Sequence, residues 1–246
     1  NPNEIDSVFG YLQYIITSYA LIVRLAGIFH FSAGVISLFG FELPPTFNHY
    51  FFADSFSDLW RRINMYWRNF VIKVFYYPIY FKLRKIGTIK AIAISILITF
   101  AFNWFLHSYQ WFWIRGSFLI TIQDTTFWAI FGIAVMLNSI YEAMPRKKKP
   151  IHSGFHFISA AFHSIRVLGI FMFMALIWSW WTVPSIAIWL GLLNILLTTT
   201  LSDAIMIFTG FVTLLLLGSL LQYILFIYEH SINKISNTSI YKSSLV

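Results

Sequence analysis

The sequence predicts an all-α integral membrane protein, with about six transmembrane helices and one interfacial or re-entrant segment. Three observations predict it. Hydrophobic residues make up 59% of the chain and charged residues only 11%, against roughly 25% charged in soluble globular proteins. The mean hydropathy is +0.72. Several intervals lack Asp, Glu, Lys and Arg and approach the roughly 20 residues that a helix needs to cross the hydrocarbon.

In chain order, residues 7–41 form an apolar stretch broken only by Arg24. It is too long for one upright helix and too short for two with a loop, so its form stays open. Residues 91–114 are a clean span and 125–141 a shorter one. Residues 152–181 are a span containing Arg166, and Pro184 marks its end. Residues 185–200 are a short span, and 204–228 the last and cleanest. Residues 42–90 differ. There Trp60, Tyr66, Trp67, Phe70, Phe75 and Tyr76 alternate with Arg61, Arg62, Arg68, Lys73, Lys82, Arg84 and Lys85, a mixture suited to the headgroup region. Residues 231–246 are a polar tail, expected to fray. No repeat and no soluble domain stands out, so 1–246 reads as a single membrane domain.

The formal charge of +8 fits a basic cytoplasmic face, not nucleic-acid binding, because the cations cluster beside apolar spans. "PRKKKP" at 145–150 is the densest basic loop and is expected to be cytoplasmic, with "KLRKIGTIK" at 82–90 on the same side and both chain ends opposite. The absence of cysteine excludes disulfides, thiolate nucleophiles and cysteine-bound metals. The GxSxG, Walker A and HExxH patterns are absent from the sequence.

Four groups of residues could carry chemistry. His107 lies about 17 residues, or about 25 Å of helix, beyond Lys90, toward the outer half of a core about 30 Å thick. Trp104, Tyr109, Trp111 and Trp113 surround it in sequence, so periodicity alone favours a histidine of the aromatic belt. Asn64 lies in "DLWRRINMYWRNF". That stretch reads either as an interfacial anchor with snorkelling arginines or as a catalytic amide flanked by Arg61, Arg62 and Arg68 for an anionic donor. His152, His156 and His163 share a helical face at a spacing that can hold a metal. No Asp or Glu lies near them, and no metal site is assigned. Asp203 reads as a helix-start acid. Arg24 and His30 sit within the first apolar stretch, facing either lipid or a polar interior.

Three features together resemble the membrane-bound O-acyltransferase superfamily, closest to the bacterial branch that acylates polysaccharides and teichoic acids. "GFELPPTFNHYFFADSFSDLWRRINMYW" at 40–67 is similar to that branch's glycine- and proline-containing loop and the aromatic-Trp-Arg run that follows. "FLHSYQWFWIRG" at 105–116 is similar to the span with the family's catalytic histidine. The separation of positions 64 and 107 is of the size the family shows. The resemblance covers roughly residues 24–116. The branch usually carries a histidine where this chain has Asn64, and an acid near Arg24. Asparagine fills the first place in several eukaryotic branches. A family member also has about twice as many membrane segments, so the chain resembles a C-terminal half.

The resemblance implies acyl transfer from a thioester donor, a coenzyme A or acyl-carrier conjugate serving as co-substrate with no resident cofactor, to a hydroxyl of an extracytoplasmic glycan or lipid-linked acceptor. It implies His107 as general base, Asn64 as an amide that stabilises or orients, and Arg61, Arg62 and Arg68 near the donor's phosphates. It also implies a bacterial inner membrane, and a partner in the form of an N-terminal half or a second membrane subunit. Two other classes are weighed. A non-catalytic relative serving as a scaffold is favoured by the departures at positions 24 and 64. A transporter would call for paired helices broken by glycine or proline, and only Pro184 makes such a break.

Overall fold

The computed structural model describes residues 2, 5–118, 120–145 and 155–243, with side chains described up to Tyr228. All regular structure among them is helical. The chain forms two compact units, residues 1–146 with 169–199, and residues 147–168 with 200–246.

In the first unit, α1 is a single helix over Val8–Ser37. The stretch whose form the sequence leaves open is thus one long helix of 30 residues, about 45 Å. Ser7 caps it by accepting the Gly10 amide N–H at 3.2 Å. Its buried residues are Val8, Tyr11, Ile15, Tyr19, Ile22 and Ala26, a spacing that keeps them on one face. Leu21, Val23, Leu25 and Ile28 on the remaining faces are exposed, as a helix against lipid requires.

The aromatic and basic segment folds as three short helices: α2 (Phe56–Arg62), α3 (Met65–Val71) and α4 (Tyr77–Leu83). A π-type turn over Ile72–Tyr76 joins the last two. The loop before α2 is fixed by backbone bonds across the α2–α3 joint. Asn48 N–H donates to Arg62 O at 3.0 Å, and Met65 N–H to Thr46 O at 2.7 Å.

Next come α5 (Thr88–Arg115) and α6 (Ile122–Ala143). The buried residues of α6 are Asp124, Phe127, Trp128, Phe131, Gly132 and Val135, again one stripe at helical spacing. A β-carbon added at Gly132 would stand 2.9 Å from Phe100 of α5, so the glycine permits the close approach on which membrane helices rely for van der Waals contact. α2 reaches α6 through polar groups. Asn138 Oδ1 accepts the Phe56 N–H at 2.7 Å, and the Ser57 hydroxyl donates to Glu142.

The helix α7 covers Phe157–Thr182; its portion from Gly169 onward belongs to the first unit. After Pro184, α8 covers Ile186–Ile195 and ends in a 3-10 turn, Leu196–Thr198. At 10 residues, or about 15 Å, α8 is half the length needed to cross the core. Five helices among the described residues, not six, are long and apolar enough to span a membrane: Val8–Ser37, Thr88–Arg115, Ile122–Ala143, Phe157–Thr182 and Leu201–Tyr228.

In the second unit, α9 runs over Leu201–Ser243. A capping box starts it. Asp203 Oδ2 accepts the Thr200 N–H at 2.9 Å, and Thr200 Oγ1 accepts the Asp203 N–H at 3.2 Å. Asp203 is therefore a first-turn acid, as the sequence suggests. The α9 backbone is helical as far as Ser243, and the last residues of the polar tail, 244–246, lie outside the described residues. Gln222 Nε2 donates to Ala160 O at 3.0 Å and to Ser164 Oγ at 2.8 Å, an interhelical polar pair of the kind that holds membrane helices together.

Candidate functional site

The site lies in the first unit, where α3, α5 and α6 meet. His107 is half-buried, one turn beyond Trp104 on α5. Its ring stacks on Trp128 of α6, with centroids 4.7 Å apart and planes at 25°. Trp67 of α3 meets it edge-on at 5.8 Å and 62°. Trp67 is itself held in place: its indole N–H donates to Asn103 Oδ1 of α5 at 2.6 Å. Asn103 is fully buried and stands four residues before His107. Thr99 and Ser95 continue the same four-residue rhythm, and both are buried. A polar row thus runs along one face of α5 up to the histidine.

Asn64 joins α2 to α3. Its backbone is left-handed, with φ 38° and ψ 65°, a conformation that asparagine tolerates better than most residues. Its side chain caps α3, Oδ1 accepting the Trp67 N–H at 3.4 Å, a long bond. Local backbone geometry therefore accounts for an asparagine here independently of chemistry.

The fold brings Asn64 and His107 together. A cavity of about 100 Å³ is lined by both, with Arg68, Trp60, Trp178 and Trp181 among its other walls. A second, wider recess of about 670 Å³ is also lined by Asn64, Trp67 and His107, with Phe29, Phe70 and Gln110 on its far sides. These three residues border both spaces. An imidazole there could take a proton from a hydroxyl, and an amide beside it could donate to an oxygen.

The three arginines separate. Arg61 pairs with Glu142 at 3.2 Å and lies 3.9 Å from Asp58. Arg62 pairs with Asp58 at 2.7 Å. Arg61 thus faces an acid of α6 and Arg62 one within α2 itself, and neither lines the cavities at His107. Arg68 does line the smaller one. It donates to Asn69 Oδ1 at 2.6 Å and to the Arg61 carbonyl at 3.3 Å, neither of which carries charge. Burial, and then the nearby Arg61 cation, hold its pKa below the ordinary arginine value; the guanidinium stays charged at neutral pH.

Arg24 and His30 are exposed on α1. Of the histidine face on α7, His152 lies outside the described residues, as does the basic loop at 146–149; His156 is exposed and His163 half-buried. No cluster of three potential metal ligands occurs among the described residues.

Sequence reasoning missed Asp124, which ends up buried with both carboxylate oxygens accepting indole N–H groups. It also missed Trp67, Trp128 and Trp181 as the walls around His107. The only signal available was the abundance of tryptophan, 10 in the chain. Comparison with protein-family models, with curated proteins and with solved structures yields no match to this chain.

Proposed function

We propose that the chain carries the transfer site of a membrane-bound O-acyltransferase. An acyl group passes from a cytoplasmic thioester, such as acyl-coenzyme A or an acyl carrier, to a hydroxyl of an extracytoplasmic glycan or lipid-linked acceptor. The observation that supports this reading is the placement of Asn64 and His107 on the shared border of two spaces. A thioester entering from one space and a hydroxyl entering from the other would meet beside the same imidazole.

In this reading His107 accepts the hydroxyl proton as the C–O bond forms. The C–S bond then breaks, and the proton passes to the thiolate sulfur. A neutral imidazole can take the first proton, and the imidazolium it becomes can give that proton to the sulfur. Asn64 would donate to the thioester oxygen as negative charge develops, or hold the acceptor. The indoles of Trp67 and Trp128 fix the imidazole plane. Arg68, which lines the smaller cavity, would be the arginine that meets an anionic part of the donor; Arg61 and Arg62 line neither cavity.

His107→Ala tests the reading. Membranes carrying the full chain should lose acyl transfer by at least about 10²-fold with protein levels near normal. Comparable turnover in the variant would remove His107 from the mechanism.

A second reading is a non-catalytic scaffold of the same family. The cap made by Asn64 and the ion pairs of Arg61 and Arg62 favour it, because each accounts for its residue without chemistry. Under that reading His107→Ala leaves the assembled complex working.

A further inference from the structure

Among the described residues Asp124 is the one acidic side chain that is buried, at 2% exposure. It stands in the first turn of α6, and its own N–H donates to Thr121 Oγ1 at 3.1 Å. A first-turn acid needs only an exposed carboxylate near the helix dipole. This one is instead sealed in and fully engaged. Oδ2 accepts Trp104 Nε1–H of α5 at 2.6 Å, and Oδ1 accepts Trp181 Nε1–H of α7 at 2.9 Å. A buried carboxylate is costly unless paired, and two charge-assisted bonds tie three helices at one point.

What those two indoles do next gives the tie its meaning. Trp181 lines the smaller cavity with His107 and Trp128. It stacks on Phe127, another wall of that cavity, at 4.4 Å and 11°. Trp104 stands one turn before His107 on the same helix. The carboxylate therefore holds the wall on the α7 side and the α5 backbone that carries the histidine.

We propose that Asp124 is a positioning residue whose clamp on Trp104 and Trp181 keeps the aromatic wall beside His107 closed to water during acyl transfer. The proposal rests on the acyl-transfer reading. A base that activates an acceptor hydroxyl also activates water. With water in the acceptor's place the same C–O bond forms and the same C–S bond breaks, yielding a carboxylic acid and a thiol in place of an ester and a thiol. The base does not distinguish these outcomes; exclusion of water does. Asp124 touches neither reactant and acts through the two indoles.

The test is the ratio of acid to ester formed, which does not depend on how much of the protein is folded. Membranes carrying the full chain receive acetyl- or palmitoyl-coenzyme A labelled in the acyl group. Label in membrane esters reports transfer, and label in free acid reports hydrolysis. Asp124→Asn should raise the acid-to-ester ratio about tenfold, the scale set by one charge-assisted hydrogen bond. Trp181→Phe, which keeps the ring packing and removes the N–H, should raise it similarly, and the double variant should go no further. An unchanged ratio in both single variants overturns the proposal, and so do additive effects. If Asp124→Asn does not accumulate, Trp181→Phe and Trp104→Phe carry the same comparison. If the wild-type chain forms neither ester nor acid, the acyl-transfer reading has failed. The clamp itself is then read from the indole N–H resonances: those of Trp104 and Trp181 should lie downfield and move in Asp124→Asn. Resonances that stay in place would overturn the clamp as well.

Discussion

Asn64 shows how one residue can meet a structural and a chemical demand together. Its left-handed backbone disfavours side chains that branch or lack a local polar group, at roughly 1–2 kcal/mol, and its cap on α3 is worth about 1 kcal/mol. Asn64→Ala therefore mixes backbone strain with loss of the amide. Asn64→Gly separates them, because glycine adopts φ 38° freely and replaces a cap at a cost of only about a few tenths of a kcal/mol. The expected outcome is a glycine variant close to wild type in thermal stability, with transfer reduced, though less steeply than after loss of His107. Full activity in the glycine variant would confine Asn64 to its backbone and capping roles. Arg68 can be tested in the same way. Arg68→Gln should raise the KM for coenzyme A thioesters more than it lowers kcat if it meets the donor's anionic part; an unchanged KM would leave the donor without an arginine at this site.

The helix pair α5–α6 is held by shape. Its tightest point is Gly132 against Phe100, where an added β-carbon would approach to 2.9 Å. Neither helix can shift without disturbing the stripe of Phe127, Phe131 and Val135. Gly132→Ala should therefore destabilise the protein in detergent by about 1–3 kcal/mol, the usual cost of overpacking, and Gly132→Leu by more. A Gly132→Ala variant that unfolds at the wild-type temperature would show that the interface yields. The ion pair of Arg61 with Glu142 belongs to the same scale but is weaker. Its partners are 49% and 41% exposed, so a double-mutant cycle on them should return less than about 1 kcal/mol of coupling. The bonds from α2 to Asn138 and Glu142, not the charge itself, then carry the docking.

At the scale of the molecule, apolar residues cover most of the outward faces of α1 and of α9 as far as Tyr228; Phe31, Phe208 and Leu216 are examples. Such faces require hydrocarbon or other apolar helices beside them. Leu214, half-exposed near the middle of the Leu201–Tyr228 span, should resist replacement by arginine, which at a helix centre costs about 2.5–3.5 kcal/mol of insertion free energy. Glycosylation mapping should show the last span failing to insert in part of the Leu214→Arg population, and full insertion would place that face against protein or water. Sidedness can be read from labelling, since the chain has no cysteine. A cysteine at position 147 should be shielded from an impermeant reagent in intact cells; labelling there would reverse the orientation and the entry side of the donor.

The sequence by itself determined the membrane class, the approximate spans and the helix-start role of Asp203. These are local quantities. Insertion is close to a sum over neighbouring residues, and a cap is decided within four positions, so both can be read along the chain. Even there, the 30-residue length of α1 and the failure of the short span at α8 to reach across the core were not legible, because hydropathy does not fix where a helix turns back. Only the tertiary structure decided the fate of the polar groups. Asp124 looks along the chain like any first-turn acid, but it is buried because Trp181, 57 residues away, brings an indole N–H to it. Arg61 reads along the chain as one of three similar cations but is paired because Glu142, 81 residues away, faces it. A hydrogen bond depends on distance and angle, which are set only when helix faces dock. In a chain this apolar, the few polar groups must find each other wherever the packing brings them.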